Sequence, residues 1–244
     1  MKKILVPTGY SAASANAIAY AGDVAKTLNR EIVFFHMGMP VQEPVLSSSG
    51  GHDEVPEPID VSALHNFMVK SHVDLVVMGM PGTGEESYSG SLLPVLGEFS
   101  CPVLLIPAGY TSHQVGKIGL ASGITQLDHE LGKIIPFARC FNAGIEIFHV
   151  SSWTADIAGF ERFNLRHEIE MAKRLHQYAN ISYGVDELPV DNENENITSF
   201  LSEKKVDILA TFQNTSPEIE SLYGIGNAGT RFNPLRIPVL VFPK

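Results

Sequence analysis

The sequence predicts an α/β protein built from two tandem domains, and two observations lead to that prediction. The first is an internal repeat, in which four matched segments keep the same order in both halves. The second is the alternation of short apolar runs with helical patterns, which favours a mostly parallel sheet joined by right-handed crossovers. The chain has 244 residues, and domains commonly span roughly 100–150 residues, so two of them fit this length.

The repeat places the domain boundary near residues 108–116, with domain 1 at 1–110 and domain 2 at 114–244. Chance explains one such match but not an ordered series. The matched segments are 3–11 (KILVPTGYS) with 117–125 (KIGLASGIT), 32–36 with 145–149, 73–75 with 206–208, and 101–107 (CPVLLIP) with 237–243 (IPVLVFP).

The first half begins with a short apolar run at residues 3–7, typical of a strand buried on both faces. Ser11 or Ser14 is a candidate N-cap for the helix that follows, which carries apolar residues at helical spacing. The next strand is predicted at 32–36.

The middle of the first half is shortened. Residues 39–59 contain four prolines and a Ser-Gly run, so we expect a long loop there, followed by a short helix at 61–70.

The second half repeats this order more fully. Pro136 is expected to bend or shorten its first helix. The later predicted elements are a long helix at 158–178, a strand at 181–185, a short helix at 197–204, and strands at 206–210 and 239–242.

Composition excludes several classes of function. A formal net charge of −10 argues against binding nucleic acid or an anionic membrane surface. Cys101 and Cys140 both lie in apolar surroundings (SCPVLL and FARCFN), which predicts buried, reduced thiols. The first apolar run ends at Pro7, too short for a signal peptide, so we expect a soluble protein located in the cytoplasm.

A glycine-rich segment is the strongest candidate for a ligand site. Residues 78–84 end a predicted strand, and Gly90-Ser91 open a predicted helix. Ligands of open α/β sheets bind beyond the carboxyl ends of the strands, where the strand order reverses. Glycines let the backbone approach an anion, and a helix N-terminus adds N–H donors. The pattern fits a phosphate site or an ordinary connection between elements.

These segments together resemble the universal stress protein family. The resemblance rests on VPTGY with its Ala-rich helix, the strand ending in His36, VDLVVMG at 73–79 and CPVLLIP. It covers nearly the whole chain, except the middle of the first half and residues 213–235. It implies two Rossmann-like (adenine-nucleotide α-hydrolase-like) domains, each a mostly parallel five-stranded sheet with flanking helices. It also implies an intramolecular pseudo-dimer through the last strands, 103–106 and 239–242, and is compatible with a homodimer.

The nucleotide-binding branch of that family holds the ATP phosphates with G-x-x-G, followed nine residues later by G-S or G-T. The resemblance therefore implies ATP with Mg²⁺ as the ligand of domain 1. Two departures exist: Gly9 stands where the family has an Asp for the ribose, and only seven residues separate Gly82 from Gly90. The implied nucleotide-binding residues are Pro7, Thr8, Gly9, Met37, Gly79, Gly82, Gly84, Gly90 and Ser91.

Domain 2 retains only a degenerate version of this site. Residues 212–215 (FQNT) replace the G-x-x-G. The positions that correspond are Ser122, Gly123, Gly226 and Asn227, and neither domain shows a metal-ligand pattern or a catalytic residue.

Three functions fit this sequence. The first is a non-catalytic stress-response protein that acts through a protein partner, unidentified by the sequence, or a bound small ligand. The second is an interaction module whose vestigial pockets bind no nucleotide. The third is a slow ATPase or other nucleotide-processing enzyme, which needs a general base, a metal ligand or a basic residue at the phosphates. Residues 79–91 contain no Lys or Arg.

Overall fold

Parallel strands and helices build two compact units, Met1–His113 (unit 1) and Gln114–Phe242 (unit 2). The predicted α/β class is confirmed. The computed structural model describes residues 2–8, 12–36, 61–80, 99–112, 114–122, 126–148, 159–183, 193–213 and 236–243. The predicted loop at 39–59 lies outside them.

Unit 1 has the strand order β2-β1-β3-β4, and every pairing among these strands is parallel. The order reverses beside β1, because β2 pairs with one edge of it and β3 with the other. The elements are β1 (Lys3–Thr8), α1 (Ala12–Leu28), β2 (Glu31–His36), α2 (Val61–Ser71), β3 (Val73–Gly79) and β4 (Val103–Ile106).

Unit 2 has the order β9-β8-β5-β6-β7, again all parallel, so it repeats unit 1 and adds an outer strand beside β6. Its five strands match the predicted number, and the described part of unit 1 contains four. The elements are β5 (Lys117–Ala121), α3 (Leu127–Phe141), β6 (Gly144–Phe148), α4 (Gly159–Leu175), β7 (Ile181–Tyr183), α5 (Glu193–Glu203), β8 (Ile208–Phe212) and β9 (Val239–Phe242).

Several sequence predictions need correction in detail. Ser14 lies inside α1 and is buried, so it is not the N-cap, and Ser11 lies outside the described residues. Helix α3 runs through the exposed Pro136 to Phe141, because buried apolar residues on both sides of the proline hold it against the sheet. Cys101 is buried as predicted, whereas Cys140 is exposed, since it falls on the outer face of α3.

The described helices share one way of ending. A residue with positive φ follows each of them and turns the chain toward the next strand. At Asn142 the left-handed backbone directs its N–H to the carbonyl groups of Ala138 and Arg139, which satisfies the end of α3. The five residues are Asn29, His72, Asn142, Gln177 and Lys205.

An aspartate at or just before the beginning of two corresponding strands, β3 in unit 1 and β8 in unit 2, is shared by the two units. Asp207 Oδ2 accepts hydrogen bonds from the backbone N–H groups of Gly116, at 2.7 Å, and Lys117, at 2.9 Å. In unit 1 the matching Asp74 forms an ion pair with Arg30, at 2.9 Å. Both aspartates lie at the amino end of their sheet, away from the edge where ligands bind.

The core of each unit lies between its sheet and the described helices. Strands β4, β6, β8 and β9 are buried along their whole length. Among the described residues, no helix combines the length and the apolar character that crossing a membrane requires.

Candidate functional site

The carboxyl edge of unit 1 brings together three of the predicted site residues. Pro7 and Thr8 end β1, and Gly79 ends β3, its direct neighbour in the sheet. Thr8 is buried, and its hydroxyl donates a hydrogen bond to the carbonyl group of Phe35 on β2 at 3.4 Å. Because the strand order reverses between β2 and β3, this edge is the one where ligands of such sheets bind.

The remaining predicted residues of this site lie outside the described residues, and their role in nucleotide binding stays a prediction. They are Gly9, Met37, Gly82, Gly84, Gly90 and Ser91. Met80, the first residue after β3, is described, and its N–H donates to the carbonyl group of Ile106 at 2.7 Å. The start of the glycine segment is therefore tied to the end of β4.

Asn16 is a contributor to this edge that the sequence analysis missed. It lies on α1, half-buried, and its side-chain N–H donates to the carbonyl group of Pro107 at 2.8 Å. Pro107 directly follows β4, so the amide links the first helix to the last strand of the unit. The sequence did contain a signal for this residue. Asn16 is a polar residue within an Ala-rich helix, and it lies next to Ala17, which is fully buried.

The corresponding edge of unit 2 is built around Ser122, the repeat counterpart of Thr8. Ser122 follows β5 and is buried. Its N–H donates to the carbonyl group of Phe148 at 3.1 Å, and its hydroxyl donates to the carboxylate oxygen Oε2 of Glu130. The other predicted residues of this site, Gly123, Gly226 and Asn227, lie outside the described residues.

Glu130 is the most unusual residue of the unit 2 edge, and the sequence analysis did not select it. It lies in the first turn of α3 and is only 7% exposed. Burial raises the pKa of its carboxyl group above the ordinary value of 4.5, and the hydrogen bond from Ser122 and the charge of His129 oppose this rise. The sequence contained a signal for this burial. Glu130 lies three residues after Leu127 and four before Ile134, and both of these lie on the buried face of the helix.

Aromatic rings close the unit 2 edge where the glycine motif is lost. Phe212 ends β8, and its ring stacks on that of Phe242 at the end of β9, with 5.0 Å between the centroids. The imidazole of His129 lies 6.5 Å from the Phe212 ring. The edge of unit 2 thus presents a carboxyl group and buried rings, which are poor partners for a phosphate.

Across the described ranges, no three His, Cys, Asp or Glu side chains converge in a group that could hold a metal ion.

The chain is similar in structure to solved proteins. A universal stress protein from Archaeoglobus fulgidus superposes with a TM-score of 0.66 at 14% identity, over 99% of this chain and 98% of that protein. The cytoplasmic domain of a prokaryotic cation chloride cotransporter gives 0.49 at 9% identity, over 98% of this chain and 83% of that one. A candidate universal stress protein from Pseudomonas aeruginosa gives 0.47 at 12% identity, over 99% and 82%.

The second and third of these scores are too low to carry an argument. No protein-family model matches the sequence, and no curated protein matches it either. The Archaeoglobus likeness spans both units and nearly the full length of each protein, at an identity that informs on fold and not on chemistry. The chain has the universal stress protein fold.

Proposed function

We propose that this chain is a universal stress protein of the cytoplasm that catalyses no reaction and acts through a protein partner or a bound small ligand. The observation that supports this most is the likeness to the Archaeoglobus universal stress protein along 99% of the chain. The sequence segments that resemble the family fall on β1, β2, β3 and β4, which agrees with the same proposal.

The ligand we propose is an adenine nucleotide with Mg²⁺, bound at the carboxyl edge of unit 1. Thr8 and Gly79 end neighbouring strands at the point where the strand order reverses, and Gly79 opens the glycine segment. Charge favours unit 1 over unit 2 as the binding site of an anionic nucleotide. With the 114-residue offset of the repeat, Asn16 corresponds to Glu130, so unit 1 has a neutral amide where unit 2 has a carboxyl group. A carboxyl group at this position repels phosphate whenever it is ionised, whereas the amide of Asn16 stays neutral.

Calorimetric titration of the full chain with ATP and Mg²⁺ tests the ligand. Gly82→Ala adds a methyl group to the glycine segment and is expected to weaken binding at least tenfold. Gly22→Ala is the matched control, because a Cβ at Gly22 on α1 meets no atom within 4 Å. The control protein should bind ATP as tightly as the unmodified chain.

The outcomes separate the parts of the proposal. Equal binding by both variants would place any nucleotide elsewhere, and the absence of binding heat would leave a protein partner as the mode of action. Steady release of inorganic phosphate from ATP, lost in Gly82→Ala, would overturn the non-catalytic assignment and favour the slow ATPase.

A further inference from the structure

A buried carboxyl group and a buried hydroxyl form a hydrogen-bonded pair in unit 2. Glu130 is 7% exposed and Ser122 is 3% exposed, and the Ser122 hydroxyl donates to Glu130 Oε2. The first side chain comes from α3 and the second from the end of β5, so the pair joins the helix to the strand at the carboxyl edge. The strength of this hydrogen bond therefore affects how firmly α3 is held to the end of β5 at the carboxyl edge.

Among the described residues, the groups that stabilise a negative charge on Glu130 are few: the Ser122 hydroxyl, His129 and the N-terminal end of the α3 dipole. Its neighbours on the same face of α3 are the buried Leu127, Leu131 and Ile134. Among the described residues, no Lys or Arg forms an ion pair with Glu130. His129 is the charged group that acts on it, and His129 is exposed. An ionised carboxylate with one hydroxyl donor in such a place is costly, whereas a protonated one is not.

We propose that Glu130 and Ser122 hold a proton in the folded protein and form a pH-sensitive latch, which is closed when Glu130 is protonated and weakened when Glu130 ionises. The protonated carboxyl group and the hydroxyl can each donate to the other, so the pair is satisfied without any charge. Loss of the proton leaves a buried anion, and the end of β5 and the first turn of α3 then separate more readily.

The direction of the pH dependence follows from the burial. In the unfolded chain Glu130 titrates near 4.5, and in the folded chain burial raises its pKa. Between these two values the folded state keeps a proton that the unfolded state has lost, so stability falls as the pH rises. Below the unfolded pKa both states are protonated, and above the folded pKa the difference is constant.

The test compares the unmodified chain with Glu130→Gln by urea unfolding from pH 4 to pH 8. Glutamine has the shape of the protonated side chain and cannot ionise. Between the unfolded and folded pKa values of Glu130, the unfolding constant of the unmodified chain should rise with pH relative to that of the variant, by at most about tenfold per pH unit.

Glu170→Gln is the control. Glu170 lies on α4, is fully exposed and pairs with Lys173 at 2.7 Å, which lowers its pKa. Relative to the Glu170→Gln variant, the unmodified chain should therefore lose no stability as the pH rises above 4.5. If the unfolding constant of the unmodified chain rose with pH by a similar factor relative to both variants, a specific role of Glu130 would be refuted.

A second measurement keeps the proposal testable if Glu130→Gln does not fold. In the unmodified chain, the side-chain carboxyl ¹³C resonance of Glu130 should titrate at higher pH than that of Glu170. Ser122→Ala removes the hydroxyl partner without adding charge, and it should shift the Glu130 resonance midpoint and leave that of Glu170 unchanged. A Glu130 midpoint at the ordinary value, or a flat stability ratio, would overturn the proposal.

Discussion

Replacing Asp207 by alanine should destabilise unit 2, because one carboxylate oxygen holds two backbone donors. Oδ2 accepts from Gly116 N at 2.7 Å and from Lys117 N at 2.9 Å, while the Asp207 N–H donates to the Lys117 carbonyl group at 2.9 Å. The alanine variant keeps the backbone bond and loses both side-chain bonds at the beginning of β5.

The magnitude follows from the exposure of the two donors. A hydrogen bond to a charged group contributes about 1.5–3 kcal/mol when it is sheltered from water. The Gly116 bond is exposed, so water replaces most of it, and the Lys117 bond is partly buried. We therefore expect the free energy of unfolding to fall by about 2–3 kcal/mol in Asp207→Ala. Asp207→Asn keeps an uncharged acceptor of the same shape, and it should lose about 1 kcal/mol.

Urea unfolding followed by tryptophan fluorescence provides the assay. The chain has one tryptophan, Trp153, and its position falls within unit 2, so its fluorescence reports on that unit. Circular dichroism follows both units and shows whether they unfold in one transition, which the free energies require. A loss below about 0.5 kcal/mol in Asp207→Ala would contradict the role assigned to the carboxylate, as would equal losses in the two variants.

Two further predictions concern α3 and the thiols. At pH 8 a thiol reagent should modify the exposed Cys140 quickly and Cys101 slowly, because desolvation and the charge of Asp74 raise the pKa of Cys101 to about 12. Two kinetic phases of equal amplitude are expected, and a single fast phase of both thiols would contradict the burial. Pro136→Ala restores an N–H that can donate to the carbonyl group of Gly132, so the free energy of unfolding should rise by about 1 kcal/mol. A lower urea midpoint of the Trp153 transition in that variant would show that the proline fits α3 without cost.

The strands were predictable because buried parallel strands leave a strong signal in the sequence. The run at 3–7 anticipates β1, and the runs at 103–106 and 239–242 match β4 and β9 to the residue. Such strands are covered on both faces, so most positions are apolar, and the repeat supports each assignment. Strand β8 begins two residues later than predicted, at Ile208, because Val206 and Asp207 belong to the turn before it.

The helix ends were less predictable, because tertiary structure overrides local preference there. Gly and Asn are the residues that signal a left-handed helix end, and Asn29 and Asn142 follow that rule. His72, Gln177 and Lys205 do not, although each has positive φ. At these positions the following strand must enter the sheet at a fixed place, so the packing energy offsets the cost of the strained backbone. Helix α5 likewise begins at Glu193, within a polar run that gives no apolar periodicity.

The residues of the site can be divided in the same way, into those whose position follows from the backbone and those whose position depends on packing. Thr8 and Ser122 follow from the repeat, since a strand end is fixed once the strand is known. Glu130 reads as an acid in the first turn of a helix, a place where carboxylates ordinarily face water and favour the helix dipole. Its burial depends on Ser122 lying across from it, and that contact exists only in the folded unit.

The two units share four strands in the same order, and the first helix of each presents a different polar residue at the carboxyl edge. In unit 1 the helix following the first strand presents Asn16, whose amide donates to a backbone carbonyl group at the end of β4. In unit 2 the corresponding residue is Glu130, which accepts from Ser122. The amide does not ionise, whereas the carboxyl group can, and burial raises the pKa of that carboxyl group. At this pair of corresponding positions, only Glu130 of unit 2 is expected to respond to pH, and an anionic ligand should favour unit 1.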